Sequence, residues 1–75
     1  MIALIQGKVT SCVGSEAVII TASGLGYSLL VSPNAAQICV VGNEVTLETH
    51  LVVKEDALDL YGFANISEKK LFKNS

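Results

Sequence analysis

The clearest pattern in the chain lies between Glu44 and Lys54, where apolar and polar positions alternate with period two. Val45, Leu47, Thr49, Leu51 and Val53 fall on one face, and Thr46, Glu48, His50, Val52 and Lys54 on the other. That alternation predicts a strand with one face against a core. Ile2 to Ser11 reads as a first strand, Ala17 to Ala22, dense in β-branched residues, as a second, and Tyr27 to Val31 as a third, with Tyr27, Leu29 and Val31 on one face. Ala57 to Phe63 makes the fifth, after an interruption at Glu55-Asp56. Val13-Gly14-Ser15-Glu16 and Ser23-Gly24-Leu25-Gly26 separate the first three strands, and both glycines of the second segment suit positive φ.

Two segments break the strand pattern. Ser32 is placed to cap a helix whose first residue is Pro33, a position that needs no N–H and favours proline's fixed φ. One or two turns fit before Val41-Gly42-Asn43. Near the end, Asn65 can cap a second helix running to Lys73, with Glu68 three residues on as in a capping box and Leu71 and Phe72 as its apolar side. An isolated helix of that length is marginal in water. Residues 1–64 therefore read as a folded unit and 65–75 as the opening of a further domain, a fragment of something longer.

Five strands with a short helix between the third and fourth fit an all-β, closed or partly closed barrel. The OB-fold has this element order. An SH3-like barrel is the nearest competitor, and the placement of the helix favours the OB arrangement. Fold alone does not fix function.

Composition narrows the classes. Of 75 residues 51% are apolar and 16% charged, too apolar for a disordered chain and short enough to hold a single core. No apolar run exceeds Met1 to Ile5, which excludes a membrane-spanning helix, and the start lacks the basic segment of a secretory signal. A cytoplasmic protein is expected. Five Lys+Arg against seven Asp+Glu give a net charge of −2, which argues against gripping nucleic acid by charge alone.

Few residues offer chemistry. His50 is the only histidine and has no partners at catalytic or metal-ligand spacing; a hydrogen-bonded or exposed strand histidine is the expected role. Cys12 and Cys39 read as buried thiols rather than a disulfide or metal site. Ser23-Gly24-Leu25-Gly26 lacks the following Lys-Ser/Thr and helix of a phosphate loop. No catalytic, metal or cofactor site is expected. The adjacent acids Glu55 and Asp56 stand at the turn between strands four and five, where acidic residues are common for local hydrogen-bonding reasons.

The string Thr49-His50, then Lys54-Glu55-Asp56-Ala57, then Leu60-Tyr61-Gly62-Phe63, gives those acids a second meaning: it resembles the N-terminal domain of the RuvA family, bacterial subunits that bind Holliday junctions. Met1-Ile2, Gly7, Gly24-Leu25-Gly26-Tyr27 and Lys70-Leu71-Phe72 agree with it. The resemblance spans all 75 residues. It implies an OB-type barrel that assembles as a homotetramer about a fourfold axis and holds an open four-way DNA junction in recombination and repair. Glu55 and Asp56 match the family's acidic pin at the crossover, and Lys54 beside them becomes a candidate phosphate contact. The resemblance further implies a non-catalytic role, with ATP-driven branch migration supplied by the motor RuvB through a domain absent here. The resemblance implies that residues 65–75 open the first helix of a helix-hairpin-helix domain that in the family holds most of the DNA. Weak junction binding by these residues alone, or none, is therefore expected. The competing expectations are a generic OB module for single-stranded nucleic acid, disfavoured by two Tyr, two Phe, no Trp and few cations, and a purely structural oligomerisation module.

Overall fold

The computed structural model of the chain describes the backbone of residues 4–74 and the side chains of residues 4–72. Its elements are β1 (Leu4–Val13), β2 (Glu16–Ile20), β3 (Gly26–Val31), α1 (Pro33–Ile38), β4 (Glu44–Val53), β5 (Leu58–Phe63) and α2 (Ile66–Asn74). The strands close into a barrel in the order β1-β2-β3-β5-β4. All pairings are antiparallel except β3 with β5, which run parallel through Leu30↔Tyr61 and Val31↔Gly62. The architecture is consistent with the OB-fold expected from the element order.

β1 is long enough to pair with two neighbours, β2 along its second half and β4 along its first. Its register against β2 shifts between Val9 and Ser11. The extra residue there reverses which side of the strand faces inward. Ile5, Gly7 and Val9 are buried before it, and Cys12 packs against the core after it. The interior is filled by Ile5, Val9, Ala17, Ile19, Leu29, Val31, Val45 and Leu47, with α1 closing one end through Ala35 and Cys39.

Two glycines sit where the wall is tightest. A Cβ on Gly7 would stand 2.3 Å from the carbonyl oxygen of Ile20. On Gly62 it would meet only side-chain tips, Leu47 Cδ1 at 3.2 Å, Leu29 Cδ2 at 3.3 Å and Val31 Cγ1 at 3.4 Å. Those tips can turn aside, and alanine restricts the unfolded chain by ~0.5–1 kcal/mol relative to glycine. Gly62→Ala is therefore expected to change stability by no more than about 1 kcal/mol in a denaturant titration. A loss several times larger would mean that the barrel cannot yield there.

α1 begins as the sequence predicts. Ser32 is extended at φ −66° and ψ 162°, and its Oγ accepts the Ala35 N–H at 3.1 Å. At the far end the Cys39 N–H is shared between the carbonyls of Ala35 and Ala36. α2 is capped by Asn65, whose Oδ1 accepts the Glu68 N–H at 2.9 Å. Glu68 closes the reciprocal side one residue early, on the Ala64 N–H at 2.9 Å. The same carboxylate accepts the Ser32 hydroxyl at 2.7 Å and the Asn34 side-chain amide at 2.9 Å, so one acid joins the starts of both helices. Phe72 lies over Tyr61 and Phe63, with centroids 4.9 and 5.0 Å away, and meets the His50 ring edge-on at 5.8 Å. Packing of this kind stabilises a helix too short to persist alone.

Donation from Ser32, and then from Ala64 and Asn34, holds the Glu68 carboxyl below the usual carboxylate range against the opposing effect of burial. A depressed folded pKa contributes stability above the unfolded value and loses it as pH falls through the folded value. Docking of α2 should therefore weaken on acidification below about pH 4.5. Glu68→Gln should make amide-exchange protection of residues 66–72 insensitive to pH across that acidic window; unchanged pH dependence in the variant would assign the effect to another group.

The differences from the sequence reading are mostly at element ends. β2 stops at Ile20 rather than Ala22, and β1 runs to Val13 rather than Ser11. Gly24 has φ 87° as expected, whereas Gly26 has no positive φ and opens β3. The predicted start of β1 at Ile2 lies outside the described residues. The larger difference is at the end of β4: Val45, Leu47 and Thr49 are buried, yet Val53, on the same face, is 70% exposed.

Candidate nucleic-acid interface

The exposure of Val53 follows from pairing. Among the described residues, β4 bonds β1 only through Glu48, and β5 bonds β3 only from Tyr61 onward. Among the described residues the partners Leu51↔Leu60, Val52↔Asp59 and Val53↔Leu58 pair only with each other. This two-stranded end of β4 and β5 is the ribbon. Directly opposed residues share a face, so Leu51, Leu60, Val53 and Leu58 form one apolar face. Leu51 and Leu60 are half-buried at its root, and Val53 and Leu58 are 70% and 69% exposed near its tip.

The tip is Lys54-Glu55-Asp56-Ala57, closed by the Lys54 N–H donating to the Ala57 carbonyl at 2.8 Å. None of the four has positive φ, so the ribbon does not end in the type I′ turn that glycine and asparagine favour. Both acids are exposed, and neither makes a hydrogen bond or ion pair with the described residues. The sequence-predicted pair therefore sits together, exposed, at the turn that closes the ribbon.

Lys54 is exposed and ion-paired within the ribbon. Its Nζ lies 3.0 Å from Asp59 Oδ2 across the ribbon. The hydrogen bond to Asp59, then the charges of Asp59 and Tyr61, hold its ammonium group above its ordinary pKa. An exposed pair of this kind contributes little to stability, but it occupies the one cation of the ribbon. Glu55 and Asp56 are left without a compensating charge.

The remaining candidates fall elsewhere. His50 is half-buried beneath α2, and its Nδ1 is buried with no hydrogen-bond partner; the expectation of a hydrogen-bonded or exposed ring fails because Phe72 covers it. Cys39 is buried and Cys12 half-buried, both free thiols. Burial, and secondarily the neighbouring Cys12, pushes the Cys39 thiol up, away from the reactive thiolate. No group of three or more His, Cys, Asp or Glu able to hold a metal occurs among the described residues, and no helix there is long and apolar enough to cross a membrane. Sequence reasoning missed the apolar face of the ribbon. Its signal is in the chain, since Leu58 and Leu60 repeat the alternation of Leu51 and Val53 on both sides of the acids, but the alternation alone predicts a core face for Leu51 and Val53.

Comparison with known proteins bears on the same segment. A family profile described as "RuvA N terminal domain" matches residues 1–62. Curated relatives named "Holliday junction branch migration complex subunit RuvA" include those of Chlorobium phaeovibrioides, 50% identical over 74 residues, Flavobacterium psychrophilum, 44% over 73, and Solidesulfovibrio magneticus, 39% over 74. In each case the aligned region covers 97% of this chain and 36–37% of the relative. The chain thus spans little more than a third of the length of these relatives.

Proposed function

Because the chain belongs to the RuvA N-terminal domain family, we propose that it is the junction-facing module of a branch migration complex, a non-catalytic subunit that shapes a four-way DNA junction while a partner motor moves the DNA. The observation that carries this reading is the pair Glu55 and Asp56, uncompensated at the tip of the β4–β5 ribbon. In a homotetramer with these tips gathered near the axis, eight carboxylates face the phosphates that converge at the crossover. Two unit charges ~10 Å apart in water repel by ~0.4 kcal/mol, and more where protein lowers the dielectric. Repulsion summed over such pairs favours an open crossover and separated strands.

That arrangement opposes binding as well as directing it. Affinity then comes from cations and backbone N–H donors away from the tip, in parts of the longer relatives that this chain does not span; the same parts would engage RuvB. Lys54 contributes a phosphate contact through the ammonium N–H donors that Asp59 does not use. A generic single-strand binder would instead present a basic, aromatic groove, and two of the aromatic rings, Tyr61 and Phe63, are packed against a third, Phe72.

Sedimentation and gel shift together test the proposal. The chain should associate to a tetramer, and should bind a four-way junction weakly yet in preference to linear duplex of equal length. A monomer with equal affinity for junction, duplex and single strand would contradict it.

A further inference from the structure

We propose that Cys12 and Cys39 form a redox-sensitive staple: a small-molecule disulfide oxidises the two thiols to an intramolecular disulfide that fastens the end of α1 to β1. The inference is independent of the DNA reading and concerns two nucleophilic side chains which that reading leaves unused.

The fold brings the pair to one end of the barrel. The register shift between Val9 and Ser11 turns the later part of β1, so that Cys12 packs against the core from a half-buried position. Cys39 ends α1 and is 3% exposed within that same core. The segment that follows α1 is tied to β1 around a single residue. The Gly42 N–H donates to the Val9 carbonyl at 2.8 Å, and the Val9 N–H donates to the Asn43 carbonyl at 2.9 Å. Cys39 stands three residues before Gly42, and Cys12 three residues after Val9. The neighbouring partners Lys8↔Glu44 pair antiparallel, so both cysteines lie on the same side of this tie. The charge of Cys12 is felt at the Cys39 thiol and adds to the effect of burial, as it does between groups that stand close together.

The two thiols have different parts. Burial makes Cys39 a poor first nucleophile, so the half-buried Cys12 reacts first. With oxidised glutathione as the disulfide, the Cys12 thiolate attacks one sulfur, forming a mixed disulfide and releasing one glutathione thiolate. Cys39 then gives its proton to solvent, attacks the Cys12 sulfur and releases the second. Two cysteine thiols lose two protons and two electrons, and one oxidised glutathione becomes two glutathione thiols. The new bond closes a loop that contains β2, β3 and α1. It restricts the unfolded chain, so the oxidised form is the more stable one.

The test equilibrates the chain with mixtures of reduced and oxidised glutathione, once in buffer and once in concentrated urea, and reads the products by intact mass and peptide mapping. In buffer the chain should lose two hydrogens, with Cys12 joined to Cys39, and the closure constant should be at least about tenfold larger than in urea. By the same linkage the oxidised chain should melt about 5 °C or more above the reduced one. Cys12→Ser should leave Cys39 unmodified, and Cys39→Ser should stop at a glutathione adduct on Cys12. A lasting adduct on Cys12 of the parent beside a free Cys39, disulfide-linked dimers, or a closure constant no larger in buffer than in urea would overturn the inference, since each means that folding does not hold the two sulfurs within reach. A native chain that stays reduced in a mixture that oxidises the unfolded chain would overturn it as well.

Discussion

Gly7→Ala is expected to lower stability by about 2–3 kcal/mol, with a fall in melting temperature of roughly 10–20 °C for a domain of this size. The cause is local and severe. An added Cβ would approach the Ile20 carbonyl oxygen to 2.3 Å, its carbon to 2.8 Å and Ile19 Cγ2 to 2.9 Å. Two of those atoms are backbone, held in place by the pairing of β2 with both β1 and β3. No side-chain rotation relieves the contact, so β1 must move away from β2 near the point where it also pairs with β4. Thermal unfolding by circular dichroism reads the effect. The contrast with Gly62, where only side-chain tips crowd the site, is part of the expectation: equal losses at the two positions would contradict the account of the barrel wall.

Neutralising the ribbon tip should act in the opposite sense on binding. If each of Glu55 and Asp56 stands about 10 Å from two phosphates, four repulsions of ~0.4 kcal/mol sum to roughly 1.5 kcal/mol per subunit, about tenfold in affinity for each tip engaged. The variant Glu55→Gln with Asp56→Asn should therefore bind a four-way junction at least about tenfold more tightly at low ionic strength. Near 0.1 M salt, where the screening length is about 10 Å, the gain should shrink to about threefold per tip. Fluorescence titration at the two salt concentrations gives both numbers. Because both side chains are exposed and bond no described residue, the melting temperature should be unchanged. A variant that binds less tightly than the parent would mean that the carboxylates contact DNA through hydrogen bonds more than they repel it.

Much of this was readable from residue order. Ser32 and Pro33 mark a helix start by chemistry that needs no tertiary context, and the alternation through Val45, Leu47 and Thr49 follows from one buried face. The position of Glu55 and Asp56 at a turn was equally local. What the residues could not show was where the barrel wall ends. Val53 continues the alternation of Leu47, and nothing in its identity says that it is 70% exposed. Exposure there is decided by which other strands lie alongside. The fate of Lys54 depends on Asp59, which stands opposite Val52 and meets Lys54 diagonally across the ribbon. The covering of His50 depends on Phe72, and the tie between the helices on Glu68 reaching Ser32, contacts between segments far apart in sequence that no periodicity encodes.

The account turns on where the ribbon tip lies when DNA is bound. A photo-crosslinking residue, benzoylphenylalanine, placed at position 56 reads that directly, since crosslinks to a four-way junction can be mapped nucleotide by nucleotide and trap weak complexes. Crosslinks confined to the few nucleotides around the crossover on all four strands are the predicted result. Crosslinks spread along the arms, or equally frequent on linear duplex, would contradict it.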